Sequence, residues 1–171
     1  MQDNYDFSKL KKEKKKVNSR AKGQTFERQI AKTLNQVFNT DEFSKSPGSG
    51  AFATTHKLPK HLTIYGDLIT PINFKYCIEC KKGYNKEDIY SLLYNSSTFH
   101  KFIEQCEKDS IQCNKVPLVI YKQDRKPTLA ITTSDMFSDI HNSITFKREG
   151  KQYSMYYLDD VLKDNYTCWF S

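Results

Sequence analysis

The apolar residues of the chain fall first into a helical rhythm. Phe26, Ile30, Leu34, Val37 and Phe38, with Ala31 between them, recur at helical spacing between Ser19 and Phe38. At about 100° per residue, with Phe26 as origin, they fill an arc of roughly 0 to 140°, and Glu27 lands inside it at about 100°. Arg28, Lys32 and Asn35 fall outside that arc, as residues of a solvent-facing side should. A carboxylate on the apolar side of an amphipathic helix is costly unless it is paired, hydrogen-bonded or bound to a cation. Glu27 therefore reads either as a boundary residue reaching solvent or a nearby lysine, or as part of a site.

Beyond this helix, Lys45-Ser46-Pro47-Gly48-Ser49-Gly50-Ala51 is a loop by its proline and glycines. It is either a plain turn or a stretch whose backbone N–H groups, with the Ser46 and Ser49 hydroxyls, meet a phosphate. Two strand-like runs follow, Leu62 to Ile69 and Phe74 to Lys81, which read as a hairpin or a pair of neighbouring strands. Asn85 and Asp88 suggest a helix start, and Ile89, Leu92, Leu93, Phe99, Phe102, Ile103 and Cys106 continue at helical spacing, with a break or kink at Ser96, Ser97 and Thr98. Val116 to Lys122 and Thr128 to Thr132 are strands around a turn at Gln123 to Pro127. From Ser134 to Ser171 the pattern suggests a short helix, a small hairpin around Glu149-Gly150, and an aromatic end with Tyr166, Trp169 and Phe170. This order predicts an α/β (α+β) fold with a mixed sheet flanked by helices. Residues 18–133 form the core, and 134–171 form an appendage packed on the same domain.

With 171 residues, 37% of them hydrophobic, the chain supports one cored domain rather than two. The net charge is +7, and the first twenty residues supply +4 of it from six lysines and Arg20 against Asp3, Asp6 and Glu13. Such a run buries no apolar area, so residues 1–17 read as a flexible basic arm that either attracts polyphosphate or keeps the chain soluble. No apolar run is long enough to span a bilayer and none forms a signal segment, so no membrane partner is expected and the expected location is cytoplasmic. The five cysteines, odd in number and irregularly spaced, argue against a disulfide framework.

The chemistry concentrates in the two central strands. Side chains alternate along a strand, so Cys77, Glu79 and Lys81 share one face while Ile78 and Cys80 share the other. The preceding run carries a lone acid, Asp67, after Gly66 and among Ile64, Tyr65, Leu68 and Ile69. Three acids in apolar contexts beside a lysine imply either a buried ion pair of Lys81 with Glu79 or Asp67, or a cation held among them. Hard divalent ions such as Mg²⁺, or Mn²⁺ as a substitute, prefer oxygen donors, which the Asp67 and Glu79 carboxylates offer. Cys77 and Cys80 also satisfy C-x-x-C, but an extended strand turns them to opposite sides, so no zinc is expected and both read as apolar fillers. His56, His61, His100 and His141 have no metal-ligand spacing.

Glu27, then Gly66-Asp67, then Glu79-Cys80-Lys81 resembles the PD-(D/E)xK nuclease superfamily, with Gly66 where the name has proline. Arg20-Ala21-Lys22-Gly23, Phe26-Glu27-Arg28 and Ser46-Pro47-Gly48-Ser49-Gly50 are similar, more narrowly, to the archaeal-type Holliday junction resolvases. The resemblance covers roughly Asn18 to Thr132 and implies an αβββαβ core with the acids at one end of the sheet. It further implies metal-dependent hydrolysis of DNA by Glu27, Asp67, Glu79 and Lys81, leaving 5′-phosphate and 3′-hydroxyl ends. Asp67, Glu79 and the Cys80 carbonyl would bind the ion, with Glu27 joining directly or through water. DNA contacts are expected from Arg20, Lys22, Lys45, Ser46, Ser49 and Lys82, the substrate is expected to be a four-way junction, and the active form a homodimer. Alternatives within the resemblance are a duplex, flap or mismatch nuclease, or an inactive nucleic-acid-binding module. The site of action would be the nucleoid, or a host cytoplasm if a virus encodes the chain.

Overall fold

A computed structural model describes residues 18–47, 65–94, 97–133, 135–137, 140–163 and 166–171. Helix α1 (Ser19–Phe38) begins where the Asn18 side chain accepts the Ala21 N–H and ends at Asn39 in a left-handed conformation. Phe26, Ile30, Ala31 and Leu34 are buried as the periodicity predicts, whereas Val37, in the last turn, is 43% exposed. Asn35, read as a surface residue, clamps the next segment: its amide donates to the Phe43 carbonyl and accepts the Phe43 N–H, both at 2.9 Å. That bracket feeds a two-residue strand, β1 (Ser44–Lys45), antiparallel to β2 (Leu68–Ile69).

The strand expected over Leu62 to Ile69 is shorter where it is described, because Gly66 adopts φ 73° and turns the chain just before β2. Residues 62–64, the basic arm 1–17 and Ser49 lie outside the described residues. Of the two readings of the central runs, a hairpin or a pair of neighbouring strands, the hairpin does not form, while the segments do lie side by side, with the Asp67 N–H bonded to the Ile78 carbonyl. β2 pairs with β1, and β3 (Tyr76–Lys82) joins a separate five-stranded sheet of order β3-β4-β5-β7-β6.

β3 and β4 (Val116–Lys122) are parallel and joined through α2 (Thr98–Cys113), a crossover that parallel neighbours require. A 3₁₀ helix at Ile89–Leu93, capped by Asp88, precedes α2, and the Ser97 hydroxyl accepts the His100 N–H to start α2 itself. The helical pattern is thus interrupted between Leu93 and Thr98; Ser96, part of the expected break, lies outside the described residues. β5 (Thr128–Thr133) runs antiparallel to β4.

The C-terminal part supplies two strands of this same sheet. β6 (Ser143–Arg148) and β7 (Lys151–Tyr157) form a hairpin whose turn, Glu149-Gly150, has positive φ at both residues, the handedness that matches strand twist. β7 then pairs with β5 along Leu129 to Thr133. Two short helices, α3 (Leu158–Val161) and α4 (Tyr166–Trp169), follow the hairpin.

Helices cover the sheet on both faces, which is why β3 is buried continuously from Tyr76 to Cys80 instead of alternating. One core lies between α1, the sheet and the C-terminal helices, around Leu34, Ile78, Ile120, Phe137 and Trp169. The other lies under α2, around Phe102, Ile103, Cys106, Tyr121 and Met155. Under α2, Glu107 binds Arg148, Lys151 and Tyr153, tying the hairpin to the helix. No helix among the described residues is long and apolar enough to cross a membrane.

Candidate active site

β3 is an edge strand of its sheet, so one row of its backbone groups faces β4 and the other faces the turn before β2. The Asp67 N–H donates to the Ile78 carbonyl at 2.8 Å, and the Cys80 N–H donates to Asp67 Oδ2 at 2.7 Å. A strand residue points its N–H and C=O to the same side, so the Cys80 carbonyl shares the Asp67 side. Gly66 makes this approach possible. A Cβ there would lie 2.6 Å from the Ile78 carbonyl oxygen and 3.0 Å from Cys77 Sγ, and the φ of +73° disfavours any L side chain. Proline, fixed near φ −65°, is excluded by the same geometry.

Ser46 completes the mount. Its N–H donates to the Asp67 carbonyl at 2.9 Å and its hydroxyl to the Gly66 carbonyl at 3.0 Å. The expectation that this hydroxyl meets phosphate is corrected: Ser46 is 4% exposed and positions Asp67.

Three charged groups gather around this mount. Glu79 is 1% exposed, and burial, then the nearby Asp67 carboxylate, push its pKa up to about 7 against the pull of Lys81. Burial likewise raises Asp67; the Cys80 N–H opposes this and the Glu27 charge adds to it. Lys81 contacts Glu79 directly. Burial works against its charge, yet the Glu79 carboxylate outweighs that and holds the ammonium above its usual pKa. Gln105 Oε1 accepts from Lys81 Nζ at 3.0 Å, and the centre of the Phe102 ring lies 5.4 Å from that nitrogen. Burial together with the neighbouring carboxylates outweighs the relief that Lys81 gives, so further positive charge here would favour the ionised acids.

Glu27 stands to one side, with Lys45 Nζ 3.5 Å from its Oε2. Arg20, Gly23, Gln24, Glu27, Lys45, Ser46 and Asp67 enclose a cavity of about 200 Å³. A larger and mostly apolar cavity of about 630 Å³, lined by Phe99, Tyr121, Leu129 and Met155, contains none of the three acids. Lys22 pairs with Asp124 at 2.7 Å in an exposed contact, and Lys82 Nζ lies 5.5 Å from the centre of the Phe26 ring. Such exposed pairs are worth little in water, so Lys22 can exchange Asp124 for another anion at small cost.

Among the described residues, no group of three or more His, Cys, Asp or Glu side chains is gathered tightly enough to hold a metal. Two carboxylates and a carbonyl nevertheless suit Mg²⁺, which keeps several waters and commonly takes only one or two carboxylates. The raised carboxylate pKa values supply the matching need for a cation. Cys77 turns toward Cys106, whose thiol donates to its carbonyl at 3.4 Å, whereas Cys80 packs in the core on the α1 side.

Sequence reasoning missed Gln105 and Asp109. They lie four residues apart on one flank of α2, and Asp109 accepts the Gly66 N–H while burial raises its pKa. Their i, i+4 spacing was visible, but it looks like any polar helix flank. Tyr84 was also missed: it holds φ 51° directly after Gly83 at φ 102°. That left-handed state costs a non-glycine residue about 1 kcal/mol or more.

A helix glutamate, an acid lodged against an edge strand, and E-x-K on that strand define a nuclease of the PD-(D/E)xK superfamily. The chain belongs to the family described as "Phage putative PDDEXK endonuclease", which matches residues 18–169. It is similar to Protein D14 of Escherichia phage T5, at 36% identity over 130 residues, 72% of this chain and 76% of that protein. No solved structure matches the chain.

Proposed function

We propose that the chain is a divalent-metal-dependent DNA endonuclease selective for branched DNA, with the four-way junction as its substrate and a homodimer as its active form. The observation that carries the metal-dependent chemistry is the Asp67–Glu79–Lys81 cluster, in which burial and mutual repulsion raise both carboxylates beside a single lysine. Asp67, Glu79 and the Cys80 carbonyl would hold Mg²⁺ or Mn²⁺, and Glu27 would reach it through water. The ion would supply Lewis-acid activation of water and polarisation of the phosphodiester. Lys81, steadied by Gln105, orients the attacking water and offsets charge developing on the phosphate. Arg20 and Lys45 at the cavity, with Lys22 and Lys82 beyond it, give the strand's phosphates a cationic seat. Ser49 and the basic arm 1–17 extend that seat in the same reading. A symmetric dimer would offer two such sites for paired nicks on opposing strands.

One assay tests this reading: cleavage with Mg²⁺ or Mn²⁺ of junction, flap, duplex and single-stranded DNA at one salt concentration. The expected result is paired nicks on the junction and at least about tenfold weaker binding of matched duplex, roughly 1.4 kcal/mol. Equal cutting of junction and duplex assigns the chain to another DNA nuclease activity of the same fold. Failure to cut any DNA leaves a nucleic-acid-binding module.

A further inference from the structure

The end of β3 carries a feature that neither the acids nor the cationic seat explains. After Lys81 and Lys82 the chain passes through Gly83 and then places Tyr84 in the left-handed region, at φ 51°. Glycine or asparagine is the usual occupant of such a position. The conformation is built in, because three donors converge on the Tyr84 carbonyl: the Tyr121 hydroxyl at 3.1 Å, Gln123 Nε2 at 3.2 Å and the Glu87 N–H at 3.0 Å. Two of these come from buried side chains of the sheet and its turn.

This arrangement aims the phenol ring outward while keeping it beside the reacting groups. The Tyr84 ring meets Phe102 edge-to-face at 4.8 Å, and Lys81 Nζ lies over the same Phe102 ring at 5.4 Å. Even so, Tyr84 remains 48% exposed. A rigidly held, half-exposed ring one side chain away from the lysine offers a π-face to whatever lies next to the phosphate.

We propose that Tyr84 is a stacking platform for an unpaired nucleotide flanking the scissile phosphate. This inference rests on the nuclease reading and narrows its substrate class. A base inside intact duplex already stacks on both neighbours, whereas an unpaired or flared base has a free face for an aromatic ring. Stacking of this kind tolerates any base, so it selects for open structure next to the cut rather than for sequence.

The test uses the full chain and branched DNA carrying 2-aminopurine at successive positions around the cut, bound in Ca²⁺ and then cleaved in Mg²⁺ or Mn²⁺. Wild type and Tyr84→Phe should quench the fluorophore at one flanking position. Tyr84→Leu, which keeps apolar cover on Phe102, should lose that quench and at least about fivefold in branched-DNA affinity. Retention of both by Tyr84→Leu with only a lower melting temperature overturns the proposal and leaves a packing residue. Cutting is a separate readout. Tyr84-dependent quench without cutting by wild type keeps the platform and removes the nuclease reading. Cutting with no Tyr84-dependent quench does the reverse.

Discussion

Replacing Glu79 by Gln should make the metal-free protein more stable at pH 8 while ending its response to divalent ions. The Glu79 pKa moves from an ordinary 4.5 to about 7 on folding. The folded chain therefore binds this proton more tightly than the unfolded chain. The stabilisation is fully present below pH 4.5, declines as pH rises toward about 7, and is gone above it. At about 1.36 kcal/mol per pH unit, the decline amounts to roughly 3 kcal/mol. Asp67 and Asp109 are raised as well and add the same sign. Glu107 is lowered, by its contacts with Lys151 and Tyr153 against the cost of its burial, so its contribution disappears only on acidification below the ordinary carboxylate range. Glu79→Gln removes the ionisation cost but weakens the interaction with Lys81. About 2 kcal/mol should remain, a rise of roughly 4 to 8 °C for a domain of this size. Thermal melts in EDTA from pH 4.5 to 8.5 should show wild type losing stability across that window and the variant losing less, because only Asp67 and Asp109 still oppose ionisation there. Mg²⁺ at pH 8 should then raise the wild-type melting temperature and leave the variant's unchanged. A flat wild-type profile, or a Gln variant less stable than wild type at pH 8, would refute the account of Glu79 as a carboxylate held uphill by burial and by Asp67.

Asp67→Asn should abolish cutting in Mg²⁺ while leaving DNA affinity equal or tighter, since it would remove a proposed metal ligand together with a negative charge; normal turnover by this variant would remove Asp67 from the chemistry. Gly66→Ala should cost roughly 3 kcal/mol or more through backbone strain and its clash with the Ile78 carbonyl, read as a lower melting temperature, with cutting abolished even at temperatures where the chain stays folded. Deleting residues 1–17 should leave the melting temperature intact and flatten the log–log salt dependence of duplex binding by about 0.9 for each phosphate the arm neutralises; an unchanged slope would reduce the arm to a solubility tail.

Patterns that depend on local spacing were legible in the sequence, and those that depend on partners were not. The bounds of α1 and β4 follow from periodicity and from runs of apolar residues, and Ser97 marks the start of α2 as a serine cap should. The three acids and Lys81 stand out because each is polar in an apolar setting. In contrast, nothing local reveals that Glu149-Gly150 turns a hairpin into the far strands of the main sheet, because that depends on β7 finding β5. Ser46 misled because a hydroxyl in a Gly-rich loop suits a phosphate and a buried backbone carbonyl equally well. Gln105, Asp109 and Tyr84 acquire meaning only once α2 lies over β3.

The junction between the C-terminal segment and the start of β3 affects how the molecule comes into being. Phe74 bridges Phe170, the Lys75 N–H donates to the Trp169 carbonyl at 2.9 Å, and the Tyr76 hydroxyl donates to the Cys168 carbonyl 92 positions away. Contacts across so long a loop form late in folding. During synthesis, the strand that carries Glu79 and Lys81 leaves the ribosome long before the residues that brace its first half. A growing chain thus carries Glu79 and Lys81 well before the brace exists, and the arrival of Tyr166 to Phe170 completes it. Chains shortened before Tyr166 should accordingly lose stable fold and nuclease activity together.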